Sequence, residues 1–166
     1  KKPIINNTTN ITQNNIQINI NDYGKEDISH ISYDFVTKLI KHMNGKSLIK
    51  YIEAVHFHNP KNSNLFIPNI NDNYILLKNG DKWSMTDKNK ILNGMIVTNF
   101  DRINDVYEQI NGNLPFPIKQ NYINYSEIFD NNDESEDRIE LKEKTEKMII
   151  KRQKNNIIIN KKSLKI

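Results

Sequence analysis

His56 and His58 stand two residues apart in VHFHNPKNSNLFI, residues 55–67, among three asparagines and a proline. On an extended chain, side chains two apart face the same way, so both imidazoles could ligate one metal ion. A third ligand would have to arrive by folding, from His30, His42, Asp72 or Asp81. The structural alternative puts His56 at a helix end, where a cation and hydrogen-bond donor suits the free carbonyls. Asn62 and Asn64 would then shape the loop by bonding backbone groups. The second reading is preferred: a shaped loop, with no metal, cofactor or catalytic residue expected. Trp83 is the only tryptophan and follows a turn. It reads as an anchor for a core rather than a surface on which a base stacks.

Other chemistries lack their residues. There is no cysteine, so neither a thiolate metal site nor a disulfide framework can form. The five glycines are scattered and make no phosphate-binding loop. No spacing singles out a Ser/His/Asp arrangement. No apolar run approaches the ~20 residues of a membrane span. KKPIINN at the start is not a signal peptide. The chain begins without Met and reads as a piece of a longer protein, intracellular (host cytoplasm or virus factory) or in a virion, and not secreted.

At 166 residues the chain is one domain with extensions. Isoleucine and asparagine occur 28 times each and lysine 21 times, a bias that A/T-rich codons explain before function does. Seven of the 24 basic residues, and none of the 20 acidic ones, lie in residues 147–166. The rest then carries 17 basic against 20 acidic residues, so the body is slightly acidic and the positive charge is a tail. That pattern argues against a nucleic-acid-binding face spread over the fold. It leaves phosphate contact to Lys147, Lys151, Arg152, Lys154, Lys161, Lys162 and Lys165.

Residues 1–15 form an Asn/Thr-rich linker or arm, and IQININD, residues 16–22, alternates as a half-buried strand does. Ser29 or Ser32 can cap SYDFVTKLIKHM, whose Phe35, Val36, Leu39, Ile40 and Met43 share one helical face. Asn44-Gly45 stops that helix, and SLIKYIEAVHF makes the second arm of a helical hairpin. LFIPNI follows, and Asn79-Gly80-Asp81 in YILLKNGDKWSMT signals a β-hairpin. Asp87 can cap a helix over 88–97 that resumes over 101–110. NLPFPIK, with Pro115 and Pro117, reads as an extended hinge ending a domain of residues 16–112. Residues 113–166 then hold that hinge, a charged helix over 133–154 with acidic start and basic end, and the basic tail, expected flexible. The fold expected is α+β: a small, mostly antiparallel sheet, a helical hairpin and further helices.

The order of these segments resembles a domain common in giant DNA viruses of the mimivirus type. There it closes proteins that begin with a zinc-finger-like segment and a coiled coil. Tyr23, Gly24, Glu26 and Asp27 match its aromatic-Gly-x-Glu-Asp turn, and His56-Phe57 its His-Phe-Asn. Pro60, Asn62 and Asn64 match its Pro-Glu-Asn-x-Asn, and Lys82-Trp83 its Lys-Trp. The chain departs from the pattern at His58, in place of Asn, and Lys61, in place of Glu. The loop before Pro60 is also shorter, and the resemblance covers roughly residues 16–100. It implies no reaction and carries DNA binding to no residue here.

The function expected is a non-enzymatic oligomerisation or partner-docking module of a viral nucleic-acid-associated or structural protein. It would form a dimer or trimer through the N-terminal strand and C-terminal helix, touching nucleic acid through the tail and no membrane. The alternative is a metal-dependent, nuclease-like enzyme using the His56/His58 loop.

Overall fold

A computed structural model of the chain describes residues 18–130 and 134–154. Two helices open the fold, α1 (Tyr33–Lys41) and α2 (Gly45–Phe57). Ser32 caps α1, its hydroxyl accepting the Phe35 N–H. Asn44 caps α2 by accepting from the N–H groups of Lys46 and Ser47. Gly45 therefore begins the second helix rather than stopping the first. The apolar face expected of α1 is buried at Val36, Leu39 and Ile40, and α2 answers it with Leu48, Ile52 and Val55.

After a 3₁₀ turn at Pro60–Asn62 come β1 (Leu65–Phe66), β2 (Tyr74–Asn79) and β3 (Lys82–Asp87), an antiparallel sheet in that order. Lys78 pairs with Trp83 and Asn79 with Lys82 around the tight turn, where Gly80 takes φ +58°. That left-handed conformation is open to glycine at little cost. Alternation sends Leu65, Ile75 and Leu77 into the helical core, and Phe66, Leu76 and Trp83 to the opposite face. Asp87 ends β3 and caps α3 (Lys88–Ile110), its carboxylate accepting the Lys90 N–H. The helices expected over 88–97 and 101–110 are one, since nothing between them breaks the hydrogen-bond ladder.

Two expectations are corrected. Residues 18–22 of the expected N-terminal strand join no sheet; the Asn21 N–H donates to the Lys61 carbonyl at 2.7 Å instead. Alternation specified an extended, half-buried chain, but its neighbour is a 3₁₀ turn, which offers no ladder. Residues 16 and 17 lie outside the described residues. The segment around Pro115 and Pro117 is not an extended hinge. Pro115 immediately precedes α4 (Phe116–Asp130), and Pro117 sits in its first turn, where a missing N–H costs nothing. Next, Ser135 caps α5 (Glu136–Gln153). Tyr122 of α4 and Leu141, Met148 and Ile149 of α5 join the apolar cluster built by α1, α2, α3 and the sheet. Between α3 and α4, Phe100 stacks on Phe129 and Tyr107 on Tyr122, each with ring centroids 3.8 Å apart.

Candidate functional site

The loop that follows α2 does what its composition suggests. Asn59 caps the 3₁₀ turn by accepting the Lys61 N–H, and the turn drives Asn62 and Asn64 fully into the interior. Asn62 spends its whole amide there. Its Oδ1 accepts from Asn21 Nδ2 at 2.9 Å and the Asp27 N–H at 3.0 Å. Its Nδ2 donates to the carbonyls of Asp27 at 2.7 Å and Val55 at 2.8 Å. One side chain thus ties the N-terminal strap, residues 21–27, to the last turn of α2.

Asn64 makes the second tie. Its Nδ2 donates to the Asp22 carbonyl at 3.1 Å and to Glu26 Oε1 at 2.8 Å, so Oδ1 is left facing His56 Nδ1 at 3.3 Å. That arrangement assigns the imidazole proton to Nδ1. His56 is buried and stacks on Tyr23, ring centroids 6.0 Å apart. The Glu26 side chain, only 4% exposed, also takes the Gly24 N–H at 2.8 Å and lies 3.7 Å from Arg102 Nη2. Gly24 reaches this contact with φ +85°, a left-handed turn that suits glycine.

Burial dominates the electrostatics. It pushes His56 below its ordinary value, against the opposing pull of Glu26. It also pushes Glu26 upward, but the charge of a protonated His56, the Gly24 N–H and the Asn64 amide outweigh it and hold the carboxyl below its ordinary value. The Tyr23 hydroxyl is pushed up, first by burial and then by Glu26. Through Asn62, Asn64 and Glu26 the cluster ties the strap of residues 21–27 to the loop after α2, and it is a clasp.

His58 takes no part in it. It is the exposed C-cap of α2, with Nε2 3.6 Å from Glu53 Oε1. Two helical steps rotate a side chain by about 200°, which parts the histidines that an extended chain would align. His30 Nε2 bonds the Ala54 carbonyl at 2.8 Å, and His42 caps the end of α1. Asp72 pairs with the Tyr74 hydroxyl and Asp81 sits in the hairpin turn. Among the described residues no three His, Cys, Asp or Glu converge to hold a metal ion. Phe57 is half-buried against the core and Pro60 is exposed at the turn. Arg102, on α3, had no signal in the sequence.

Trp83 lies away from the clasp. With Tyr74 it leans on the buried Phe66 and Leu76, a cluster in which no apolar residue of a described helix takes part. Met85, 57% exposed, extends this face, and Ile70 in the β1–β2 loop is 49% exposed. On α5, Lys147, Lys151 and Lys154 are exposed at helical spacing along one side, whereas Arg152 turns to Glu53. Lys161, Lys162 and Lys165 lie outside the described residues. Among the described residues no helix is long and apolar enough to cross a membrane.

No protein-family model matches the chain, and no curated protein or solved structure matches it significantly.

Proposed function

We propose that the chain is a non-enzymatic docking module that binds protein, a second copy of itself included, through the outer face of its sheet. The observation that carries this reading is the open face itself. Tyr74 and Trp83 stand over Phe66 and Leu76, with Met85 and Ile70 exposed beside them. Aromatic residues and methionine are the types enriched at the centres of interfaces. Leu141, Met148 and Ile149 of the C-terminal helix, expected to dock outward, pack into the core instead, which favours the sheet as the docking surface. The clasp around His56 supports a binding role, because its polar groups hold loops together. The setting in a viral nucleic-acid-associated or structural protein is supported by the motif resemblance alone.

Light scattering on a concentration series tests this reading. The intact chain should form a dimer or trimer, and Met85→Lys, which adds a charge to an already exposed position, should weaken it. A monomer at every concentration for both proteins removes self-association. Phosphate contact is a second reading, supported by the Lys147, Lys151 and Lys154 stripe, and it involves a different surface.

A further inference from the structure

We propose that β3 pairs antiparallel with β3 of a second copy, about a two-fold axis at Ser84, so that two sheets join edge to edge into one. The inference deepens the docking reading and rests on it for association with a second copy. The contact itself is read from the edge of the sheet.

β3 ends the strand order β1-β2-β3. Lys78, which pairs with Trp83, donates its N–H to the Asn64 carbonyl at 2.8 Å and accepts the Tyr23 N–H at 2.9 Å. Both backbone groups of Lys78 therefore face away from β3, so Lys78 and Trp83 share no hydrogen bond. The N–H and C=O of Trp83, and by alternation those of Met85, point outward from β2. Among the described residues no other segment bonds them. Such an edge is a template for another strand.

The residues of β3 choose the strand. Trp83 and Met85 lie on the outer face, while Lys82, Ser84 and Thr86 lie on the other, with Lys82 and Ser84 exposed. Opposite residues of antiparallel strands share a face. With the axis at Ser84, Trp83 falls opposite the partner's Met85 and exchanges backbone hydrogen bonds with it, twice by symmetry. Thioether against indole is a favourable contact. Lys82 then faces the partner's Thr86, and Ser84 its own counterpart. Asp81 and Asp87 stand at the ends, where the chain enters the hairpin turn and α3, and Asp87 is committed to the Lys90 N–H. Moving the axis to Met85 sets Trp83 against the partner's Asp87, and moving it to Trp83 sets Met85 against the partner's Asp81. The edge is self-complementary in one register, which singles out a second copy as its occupant.

The opposite edge is taken. Both backbone groups of Ile67 are bonded to Gln153, at 2.9 and 2.7 Å. With one open edge per copy, pairing closes at a dimer and builds no fibre.

The chain has no cysteine, so single cysteines can map the contact. In this register the two Ser84 α-carbons lie about 4.5 Å apart, a separation that a disulfide spans. Ser84→Cys in the intact chain should give a covalent dimer under mild oxidation. Met85→Cys and Lys82→Cys, whose counterparts are offset along the strands beyond the ~7 Å limit, should stay monomeric on a non-reducing gel. Adding Met85→Pro to Ser84→Cys removes an outward N–H and no bond to β2, so the crosslink should be lost with an unchanged circular dichroism spectrum. If that double variant fails to fold, Ser84→Cys against Lys82→Cys decides alone. Equal crosslinking of those two, or a crosslink that survives the proline, marks collision of exposed thiols and overturns the pairing. A dimer by light scattering that crosslinks through Met85→Cys and not Ser84→Cys overturns it as well, but upholds docking through the outer face. A monomer by light scattering with no Ser84→Cys crosslink overturns the pairing and removes self-association with it.

Discussion

Gln153 and Ile67, 86 residues apart in sequence, exchange two hydrogen bonds: the Ile67 N–H donates to Gln153 Oε1 at 2.9 Å, and Gln153 Nε2 donates to the Ile67 carbonyl at 2.7 Å. A single side-chain amide takes the place of a neighbouring strand along β1. It also fixes the end of α5 against the sheet.

Replacing that amide should be costly. In Gln153→Leu both Ile67 groups lose their partner, with Ile67 only 1% exposed. An unsatisfied buried group costs about 1–3 kcal/mol. The urea midpoint should fall accordingly, with an unchanged slope. A midpoint equal to that of the parent would mean that water replaces the amide freely.

The clasp makes a sharper case. Asn62→Asp keeps the shape of the side chain but replaces two donors with an acceptor facing the Asp27 and Val55 carbonyls. Each carbonyl left unpaired costs about 1–3 kcal/mol, and a buried carboxylate adds to that. Asn62→Asp should therefore be less stable than Asn62→Ala at neutral pH. Amide exchange should accelerate first in residues 21–27. Equal stabilities of the two variants would contradict the hydrogen-bond assignment.

Acid should open the same clasp. Burial holds His56 below its ordinary value of 6.5, so the unfolded chain takes up a proton there before the folded protein does. Stability then falls as pH drops below 6.5. For Glu26, burial raises the carboxyl, but His56, the Gly24 N–H and Asn64 together bring it below 4.5. Its contribution is complete above 4.5 and is lost as pH falls through the folded value, so both groups act in the same direction. Urea midpoints measured across this range should decline toward acid, and His56→Gln should flatten the upper part of the decline. A profile that stays level from neutral pH down into the carboxylate range would refute the assignment.

Duplex binding, if driven by α5, should be weak, indifferent to sequence and sensitive to salt. Each of Lys147, Lys151 and Lys154 changed to Gln should reduce the slope of log affinity against log salt by about one contact. Arg152→Gln should change it less, because Arg152 is turned to Glu53. Sequence-selective binding that survives the triple substitution would place a base-reading element in the body of the fold.

Local chemistry explains what could be read from the sequence. The spacing of Phe35, Val36, Leu39, Ile40 and Met43 determined an amphipathic helix, because that pattern repeats within one turn of chain. Asn79-Gly80 determined the hairpin and Asp87 the start of α3, since a tight turn and a cap involve residues only two or three apart. The shape of the loop after His56 was legible for the same reason: Asn59 bonds its own neighbourhood. What the loop grips was not legible. Asn62 reaches Asp27 and Asn64 reaches Asp22, partners 35 and 42 positions apart, and Arg102 approaches Glu26 from α3. The fate of residues 18–22, the parting of His56 from His58 and the clamp of Gln153 on Ile67 were decided by which segments pack side by side. Extended chain, histidine and glutamine can each be satisfied by many partners, and only the tertiary structure selects one.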